Sequence, residues 1–164
     1  MSVKIKICGL RRFQDIKAVN LYKPDYAGFI LTKGFRRSVA ADDFKKLHAG
    51  LDEGIRSVGV FVNEPLESIK ESFAESLDVI QLHGNETEEY ITELREFFDG
   101  EIWKAVRAKT PADIEKADGL SAGRLVIDSF VEGIVGGTGR QADTTVILSA
   151  SITKPFFIAG GISE

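Results

Sequence analysis

Five reactive side chains stand at or just after the ends of short apolar segments in this 164-residue chain. Cys8, His83 and Asp128 each lie where such a segment ends, and Arg36 and Arg37 follow another. A thiol beside a cation can work as a nucleophile or base, and a carboxyl group can donate a proton. The planar donor fork of arginine suits a carboxylate or a phosphate. These residue types indicate acid–base chemistry on an anionic substrate.

Each of these side chains also has a purely structural interpretation. Taken alone, Cys8 is a small buried hydrophobe, and His83 is a hydrogen-bonded histidine at a strand end. Asp128 can cap a turn through the backbone, and the arginine pair can be solvated. The other histidine, His48, is predicted to be a surface or boundary residue of a helix.

Glycines follow the last two apolar segments. Shortly after Asp128 come Gly136, Gly137, Thr138 and Gly139. Gly160 and Gly161 follow the final segment. Glycines let backbone N–H groups converge on an anion, or permit a mobile lid. No Lys-Ser or Lys-Thr pair follows, so this is not a Walker A loop, and the first segment lacks the glycine triplet of a dinucleotide site.

Seven short segments rich in Val, Ile and Phe are predicted to be strands. They are Val3–Cys8, Tyr26–Leu31, Arg56–Val62, Val79–His83, Ile102–Arg107, Arg124–Ser129 and Pro155–Ile158. Most are continuously apolar, which is typical of parallel strands covered on both faces. They begin 22 to 31 residues apart, which leaves room for a crossover helix after each strand.

The stretches between these segments are predicted to be helices. One apolar stripe has helical spacing: Leu66, Ile69, Phe73 and Leu77. We expect Asn63 to cap that helix, with Pro65 in its first turn. Thr110 is predicted to be the N-cap of another helix, with Pro111 at its first helical position. Similar stripes appear around Phe44 and around Ile91.

Repeated βα units leave two architectures, an eight-stranded parallel barrel and an open doubly wound sheet. Both bind ligands at the carboxyl ends of their strands, which is where the reactive side chains lie. The absence of a dinucleotide glycine triplet counts against the doubly wound sheet. Paired glycines after a late strand are common in barrel phosphate sites.

Composition excludes several classes of protein. Lys and Arg number 21 and Asp and Glu 25, so the net charge of −4 lacks the basic field that nucleic-acid binding needs. One cysteine permits no intrachain disulfide, and a zinc site lacks paired ligands. The apolar segments are too short for a membrane helix, and the first residues do not resemble a secretory signal. We therefore expect a cytoplasmic enzyme or binding domain.

Four segments, in order, resemble the phosphoribosylanthranilate isomerase family. They are Lys4–Leu10, Gln81–Gly84, Asp128-Ser129 with the Gly136–Gly139 segment, and Ala159–Gly161. The resemblance implies an eight-stranded βα barrel and an Amadori rearrangement of N-(5-phosphoribosyl)anthranilate in tryptophan biosynthesis, without metal or organic cofactor. It implies that Asp128 is the general acid that opens the furanose ring. It implies that Cys8 is the general base that takes the proton from C2′.

The resemblance also implies a substrate-binding set. Arg37 would bind the anthranilate carboxylate, with Arg36 as the alternative if the register differs by one, and His83 would line the same pocket. The loop containing Gly137, Thr138 and Gly139 would close over the substrate. Gly160 and Gly161 would donate backbone N–H groups to the phosphate.

We expect residues 1–164 to form one βα barrel domain that lacks an eighth βα unit. Seven strands cannot close such a barrel, so the first and last strands would keep unpaired edges. These edges would favour self-association, and the activity is assigned to the intact sequence rather than to the 164-residue chain. Two other hypotheses stay open: a different phosphate-binding barrel enzyme, and a non-catalytic βα assembly module.

Overall fold

The computed structural model describes residues 3–129 and 144–160, and within these ranges strands and helices alternate. The strands are β1 Lys6–Cys8, β2 Tyr26–Ile30, β3 Arg56–Phe61, β4 Val79–Leu82, β5 Glu101–Ala108, β6 Arg124–Ser129 and β7 Phe156–Ala159. The helices are α1 Phe13–Tyr22, α2 Ala41–His48, α3 Leu66–Ser72, α4 Glu88–Arg95, α5 Pro111–Asp118 and α6 Thr144–Ser149. All seven predicted strands are present, so the interpretation of the apolar segments is confirmed.

The strands form one parallel sheet in which each strand pairs with the next along the chain, from β1 to β7. This order is that of a parallel barrel, because a doubly wound sheet would reverse direction at a switch point. Within the described residues, β1 and β7 each pair on one side only. Over residues 3–129 and 144–160 the structure is an incomplete barrel of seven strands.

An inner layer of side chains shows that the sheet is strongly curved. The ring of Tyr26 on β2 lies 4.8 Å from Trp103 on β5 and 5.7 Å from Phe157 on β7, between ring centroids. In a flat sheet β2 and β7 would be ~24 Å apart, at ~4.8 Å per strand. The side chains of the two strands therefore meet across the barrel interior, where Val58, Val79 and their neighbours complete a small apolar cluster.

The helices pack on the opposite, outer face of the sheet. Phe44 of α2 is fully buried, with its ring 5.2 Å from Phe29 of β2 and 5.9 Å from Phe73, between ring centroids. This layer is uncovered at the two ends of the sheet. Ile7 of β1 is 38% exposed and Ile158 of β7 is 41% exposed.

Two predicted helix starts have different outcomes. Thr110 is the N-cap of α5 and Pro111 its first residue, as predicted. The prediction that Asn63 caps α3 is wrong, because Pro65 occupies the N-cap and α3 begins at Leu66. Asn63 has a left-handed backbone (φ 49°), and its side chain accepts a hydrogen bond from the N–H of Asn85. Its side chain therefore joins the loop after β3 to the loop after β4 instead of capping the helix.

The end of α3 also differs from the expectation. The helix ends at Ser72, and a 3-10 turn over Ala74–Ser76 carries the chain to β4. Phe73 and Leu77 are still buried, as their place in the apolar stripe predicts. No helix in the described part of the chain is long and apolar enough to span a membrane.

An ionic cluster closes the amino-terminal end of the barrel interior. The Glu101 carboxylate accepts hydrogen bonds from the guanidinium of Arg56 and from Nε1 of Trp103, the latter at 2.8 Å. Nε of Arg124 lies 4.0 Å away. Burial alone would raise the pKa of the Glu101 carboxyl, but these hydrogen bonds and positive charges outweigh it and hold that pKa below its usual range.

We predict that Glu101→Gln lowers the melting temperature at pH 7 by about 1–2 °C. This is the shift that a loss of about 0.5 kcal/mol produces in a domain of this size, because both side chains of the pair are more than a third exposed and solvent screens it. Because the folded-state pKa is lowered, the stabilisation is present above the unfolded pKa and is lost as pH falls through the folded one. Thermal unfolding from pH 7 to 4 should therefore show the difference narrowing below about pH 4.5. Glu93→Gln, on the exposed face of α4, is the matched control. An equal gap at every pH would contradict the ion-pair explanation.

Candidate active site

A cavity of about 480 Å³ opens at the carboxyl ends of the strands. This volume lies within the range of small-molecule sites. Its lining includes six of the residues singled out from the sequence: Cys8, Arg36, Arg37, His83, Asp128 and Gly160. Gly137, Thr138, Gly139 and Gly161 lie outside the described residues. The structure thus brings together every sequence-predicted site residue that it describes.

Cys8 faces the cavity because Gly28 on the neighbouring strand leaves space for it. The two residues are register partners in the ladder of β1 and β2. A Cβ on Gly28 would lie 2.8 Å from Sγ of Cys8 and 3.0 Å from Nζ of Lys6. The thiol of Cys8 and the ammonium of Lys6 therefore share the space above one glycine.

Arg37 is held against the end of β1. Its Nη1 donates a 3.0 Å hydrogen bond to the backbone carbonyl of Cys8. Gly9 has φ +86°, and a Cβ there would come within 2.4 Å of the same Nη1. The glycine is required both by its backbone conformation and by the close approach of the guanidinium.

Arg36 differs from Arg37 in its surroundings. Its side chain is exposed at the rim of the cavity, whereas Arg37 is partly buried. Its backbone carbonyl accepts a 3.2 Å hydrogen bond from Nη1 of Arg11. Of the two candidates for the anthranilate carboxylate, Arg37 is the one whose guanidinium is fixed beside Cys8.

His83 and Asp128 approach each other across the cavity floor. Nε2 of the imidazole lies 3.3 Å from Oδ2 of the carboxylate, and both side chains are largely buried. On the other side of the ring, Nδ1 is 2.9 Å from Nε2 of Gln81. Arg107 of β5 reaches the backbone carbonyl of His83 at 3.5 Å.

A buried ion pair holds the loop that follows His83. Nζ of Lys104 lies 2.7 Å from Oε2 of Glu86 and donates to the backbone carbonyl of Gly84, also at 2.7 Å. The Glu86 carboxylate accepts in turn from the backbone N–H groups of Gly84 and Asn63, the latter at 2.8 Å. Both charged groups have hydrogen-bond partners, which offset the free-energy cost of removing them from water. The pair thereby holds the loop that follows His83 in place.

The cavity lining is predominantly positive. Among the described residues that form it, Lys6, Arg36 and Arg37 are basic and Asp128 is acidic. Such a balance, in a partly enclosed site, favours a ligand that carries more than one negative charge.

Sequence reasoning missed Lys6 and Gln81 as members of the site. Both precede a recognised residue by two positions, Lys6 before Cys8 and Gln81 before His83. Because side chains alternate between the faces of a strand, a polar residue at this spacing shares the face of the reactive one. This alternation was the available signal. No such spacing predicts the ion pair of Glu86 and Lys104, because Glu86 lies in the loop after β4 and Lys104 lies on β5.

Comparisons with known proteins agree with this geometry. A family model described as N-(5′-phosphoribosyl)anthranilate isomerase matches residues 5–164. The enzyme of that name from Clostridium acetobutylicum is 42% identical over 164 residues, covering 98% of this chain and 78% of its own. That of Thermoanaerobacter pseudethanolicus is 40% identical over 163 residues, covering 99% and 78%.

Solved structures give the same result. The phosphoribosylanthranilate isomerase of Thermus thermophilus has a TM-score of 0.82 at 27% identity, covering 98% of this chain and 78% of its own. A second structure of such an enzyme, in complex with reduced 1-(o-carboxyphenylamino)-1-deoxyribulose 5-phosphate, has a TM-score of 0.76 at 25% identity, covering 98% and 77%. With a family model matched over nearly its whole length, this chain belongs to the N-(5′-phosphoribosyl)anthranilate isomerase family.

Proposed function

We propose that this chain converts N-(5-phosphoribosyl)anthranilate into 1-(2-carboxyphenylamino)-1-deoxyribulose 5-phosphate, with Asp128 as general acid and Cys8 as general base. The observation that carries the proposal is the single cavity lined by both residues and by Arg37. The two groups come from β1, the first strand of the sheet, and β6, the next to last. A sugar bound between them can receive a proton on one side and lose one on the other.

In the first step the carboxyl group of Asp128 donates its proton to the furanose ring oxygen. The C1′–O bond breaks, its electrons remain on oxygen as a hydroxyl group, and the nitrogen lone pair forms the C1′=N bond of a protonated Schiff base. The carboxylate left behind lies near the Nε2 atom of His83, 3.3 Å away.

In the second step the Cys8 thiolate removes the proton from C2′. The electrons of that C–H bond form C1′=C2′, and the C=N electrons return to nitrogen, which gives an enolamine. Tautomerisation moves the hydroxyl proton to C1′ and leaves a ketone at C2′. The substrate gains one proton and loses one, so its formula is unchanged, and proton exchange with solvent returns Asp128 to the carboxyl form and Cys8 to the thiolate. The ammonium of Lys6 offers the thiolate a neighbouring positive charge.

The two anionic ends of the substrate would be bound at opposite sides of the cavity. Arg37 is proposed to bind the anthranilate carboxylate, because its guanidinium is fixed beside Cys8. Gly160, in the cavity lining, and Gly161 are proposed to donate backbone N–H groups to the phosphate. The loop of Gly137, Thr138 and Gly139 is proposed to close over the bound sugar.

The whole chain is proposed to be a single barrel domain whose open edges associate with a second copy. Ile7 of β1 and Ile5, which directly precedes this strand, are exposed, and the outer face of β7 exposes Phe156 and Ile158. In a closed barrel a strand and helix between β1 and β7 would cover these residues. Exposed strand edges with apolar side chains favour pairing between chains.

We infer a cytoplasmic location from the proposed chemistry. The base has to be a reduced thiol, and the cytoplasm keeps cysteine reduced.

Cys8→Ala and Asp128→Asn should each lower the rate about 10²- to 10⁴-fold, the usual contribution of a general base or acid. The measurement follows the change in anthranilate-type fluorescence as substrate is consumed. It uses this chain and a second version extended by the carboxy-terminal βα unit of the Clostridium acetobutylicum relative. Circular dichroism of each variant checks that the fold is retained. Full activity in both extended variants would refute the acid–base assignment.

The two arginines provide a matched pair of neighbouring substitutions. Arg37→Ala should raise KM by roughly tenfold or more, because a charge-assisted contact with the carboxylate is lost. Arg36→Ala removes an equal charge from the exposed rim and should change KM less. Steady-state kinetics of the extended chain measures KM for both variants. A larger increase in KM for Arg36→Ala than for Arg37→Ala would assign the anthranilate carboxylate to Arg36.

Self-association should appear as a mass that rises with protein concentration in sedimentation or light scattering. Ile158→Lys, on the outer face of β7, should shift the equilibrium toward monomer, because a charge at a strand edge opposes pairing. Thr92→Lys adds the same charge on α4, away from both edges, and should leave the equilibrium unchanged. A wild-type chain that is monomeric at every concentration would contradict the proposal.

A further inference from the structure

Gln81 is a buried amide that the proposed reaction does not use. It is 2% exposed, on the inner face of β4, two residues before His83. Its Nε2 contacts Nδ1 of His83 at 2.9 Å, while its Oε1 is buried and has no hydrogen-bond partner among the described residues. An unsatisfied carbonyl oxygen in the interior is unfavourable, so stability alone does not account for an amide here.

The other nitrogen of His83 is directed at the proposed acid. Nε2 lies 3.3 Å from Oδ2 of Asp128, but within the described structure it makes no aligned hydrogen bond. The three side chains therefore form a row, from the amide through the imidazole to the carboxyl group.

With Nε2 of the amide facing the ring, as in this structure, Gln81 restricts the protonation state of the imidazole. An NH₂ group only donates, so Nδ1 has to accept with its lone pair, and a neutral imidazole then carries its proton on Nε2. An imidazolium would need a proton on both nitrogens and would place Nδ1–H against the NH₂ donor. This contact opposes the charged ring.

Resting on the proposed role of Asp128 as acid, we propose that Gln81 is a positioning residue that keeps His83 neutral so that Asp128 retains its proton. An imidazolium 3.3 Å from Asp128 would favour the ionised carboxylate, which has no proton to donate. A neutral ring removes this cation. Its Nε2–H can still stabilise the carboxylate after the proton has been transferred.

Other charged and titratable groups around the cavity act on His83 as well. They are Lys6 and Cys8 of β1, Arg36 and Arg37 before α2, Arg107 of β5 and Asp128 of β6. The ion pair of Glu86 and Lys104 lies behind Gly84. The cations oppose a positive charge on His83, whereas the Asp128 carboxylate favours one. The effect of Gln81 is therefore measured by substituting Gln81 while these groups stay unchanged.

The direct test is nitrogen NMR of protein labelled with ¹⁵N-histidine. The chain has two histidines, so His48→Gln leaves one imidazole and assigns its signals. We expect the neutral imidazole of wild-type His83 to carry its proton on Nε2. A proton on Nδ1 of the neutral ring, or an imidazolium near neutral pH, would overturn the proposal.

Gln81→Glu reverses the effect, because a carboxylate accepts from Nδ1–H and favours the imidazolium. We expect the imidazolium signals of this variant to persist to higher pH than in wild type. Gln81→Met, which is close in volume and has no donor, should show a smaller change in the same direction and covers the case in which Gln81→Glu fails to fold. Unchanged signals in a folded variant would contradict the proposal.

Kinetics of the extended chain test the consequence for Asp128. In Gln81→Glu the alkaline limb of the kcat profile should move to lower pH, with kcat near neutrality reduced about tenfold. If Gln81 has only a structural role, its substitution would leave the alkaline limb of the kcat profile at the wild-type pH. In a His83→Asn background, Gln81→Glu should no longer move this limb. If Asp128 proves not to be the acid, the limb will not report on it, while the NMR result still decides the state of His83.

Discussion

The parallel ladder, with its two-residue alternation of side chains, is the constraint on which the rest of this structure depends. It places Lys6 and Cys8 on one face of β1 and leaves Ile7 on the other. The same rule directs Gln81 and His83 inward from β4. A slip of one residue in either strand would exchange the faces and remove the reactive side chains from the cavity. Register therefore decides which side chains line the candidate active site.

The barrel interior is divided along its axis into two regions. At the amino-terminal end, aromatic rings of β2, β5 and β7 pack together above the cluster of Glu101, Arg56 and Arg124. At the carboxyl end the same inward-facing positions carry polar and charged groups around a cavity. The packed lower region supplies rigidity, so the upper region can hold reactive groups that contribute little to stability.

Loops at the mouth are held by specific contacts. Arg37 is bonded to the carbonyl of Cys8, and Glu86 with Lys104 fixes the backbone after His83. A buried ion pair is costly unless every polar atom is satisfied. In both cases the charged residue orders the backbone that carries a candidate catalytic or binding group, which is the expected use of such contacts beside an active site.

The sequence by itself determined the strands, the parallel class of the sheet and the candidate residues Cys8, Arg37, His83 and Asp128. These follow from local patterns: continuous apolar segments, their regular spacing and the residues that end them. The proposed helix cap at Asn63 was wrong because a distant loop, reached through Asn85 and Glu86, takes its polar groups. The site roles themselves remain predictions.

Only the tertiary structure decided that Gln81 contacts His83, that Lys6 shares the space above Gly28 with Cys8, and that Lys104 pairs with Glu86. Such contacts depend on curvature and on the approach of separate elements, which no local pattern of residues specifies.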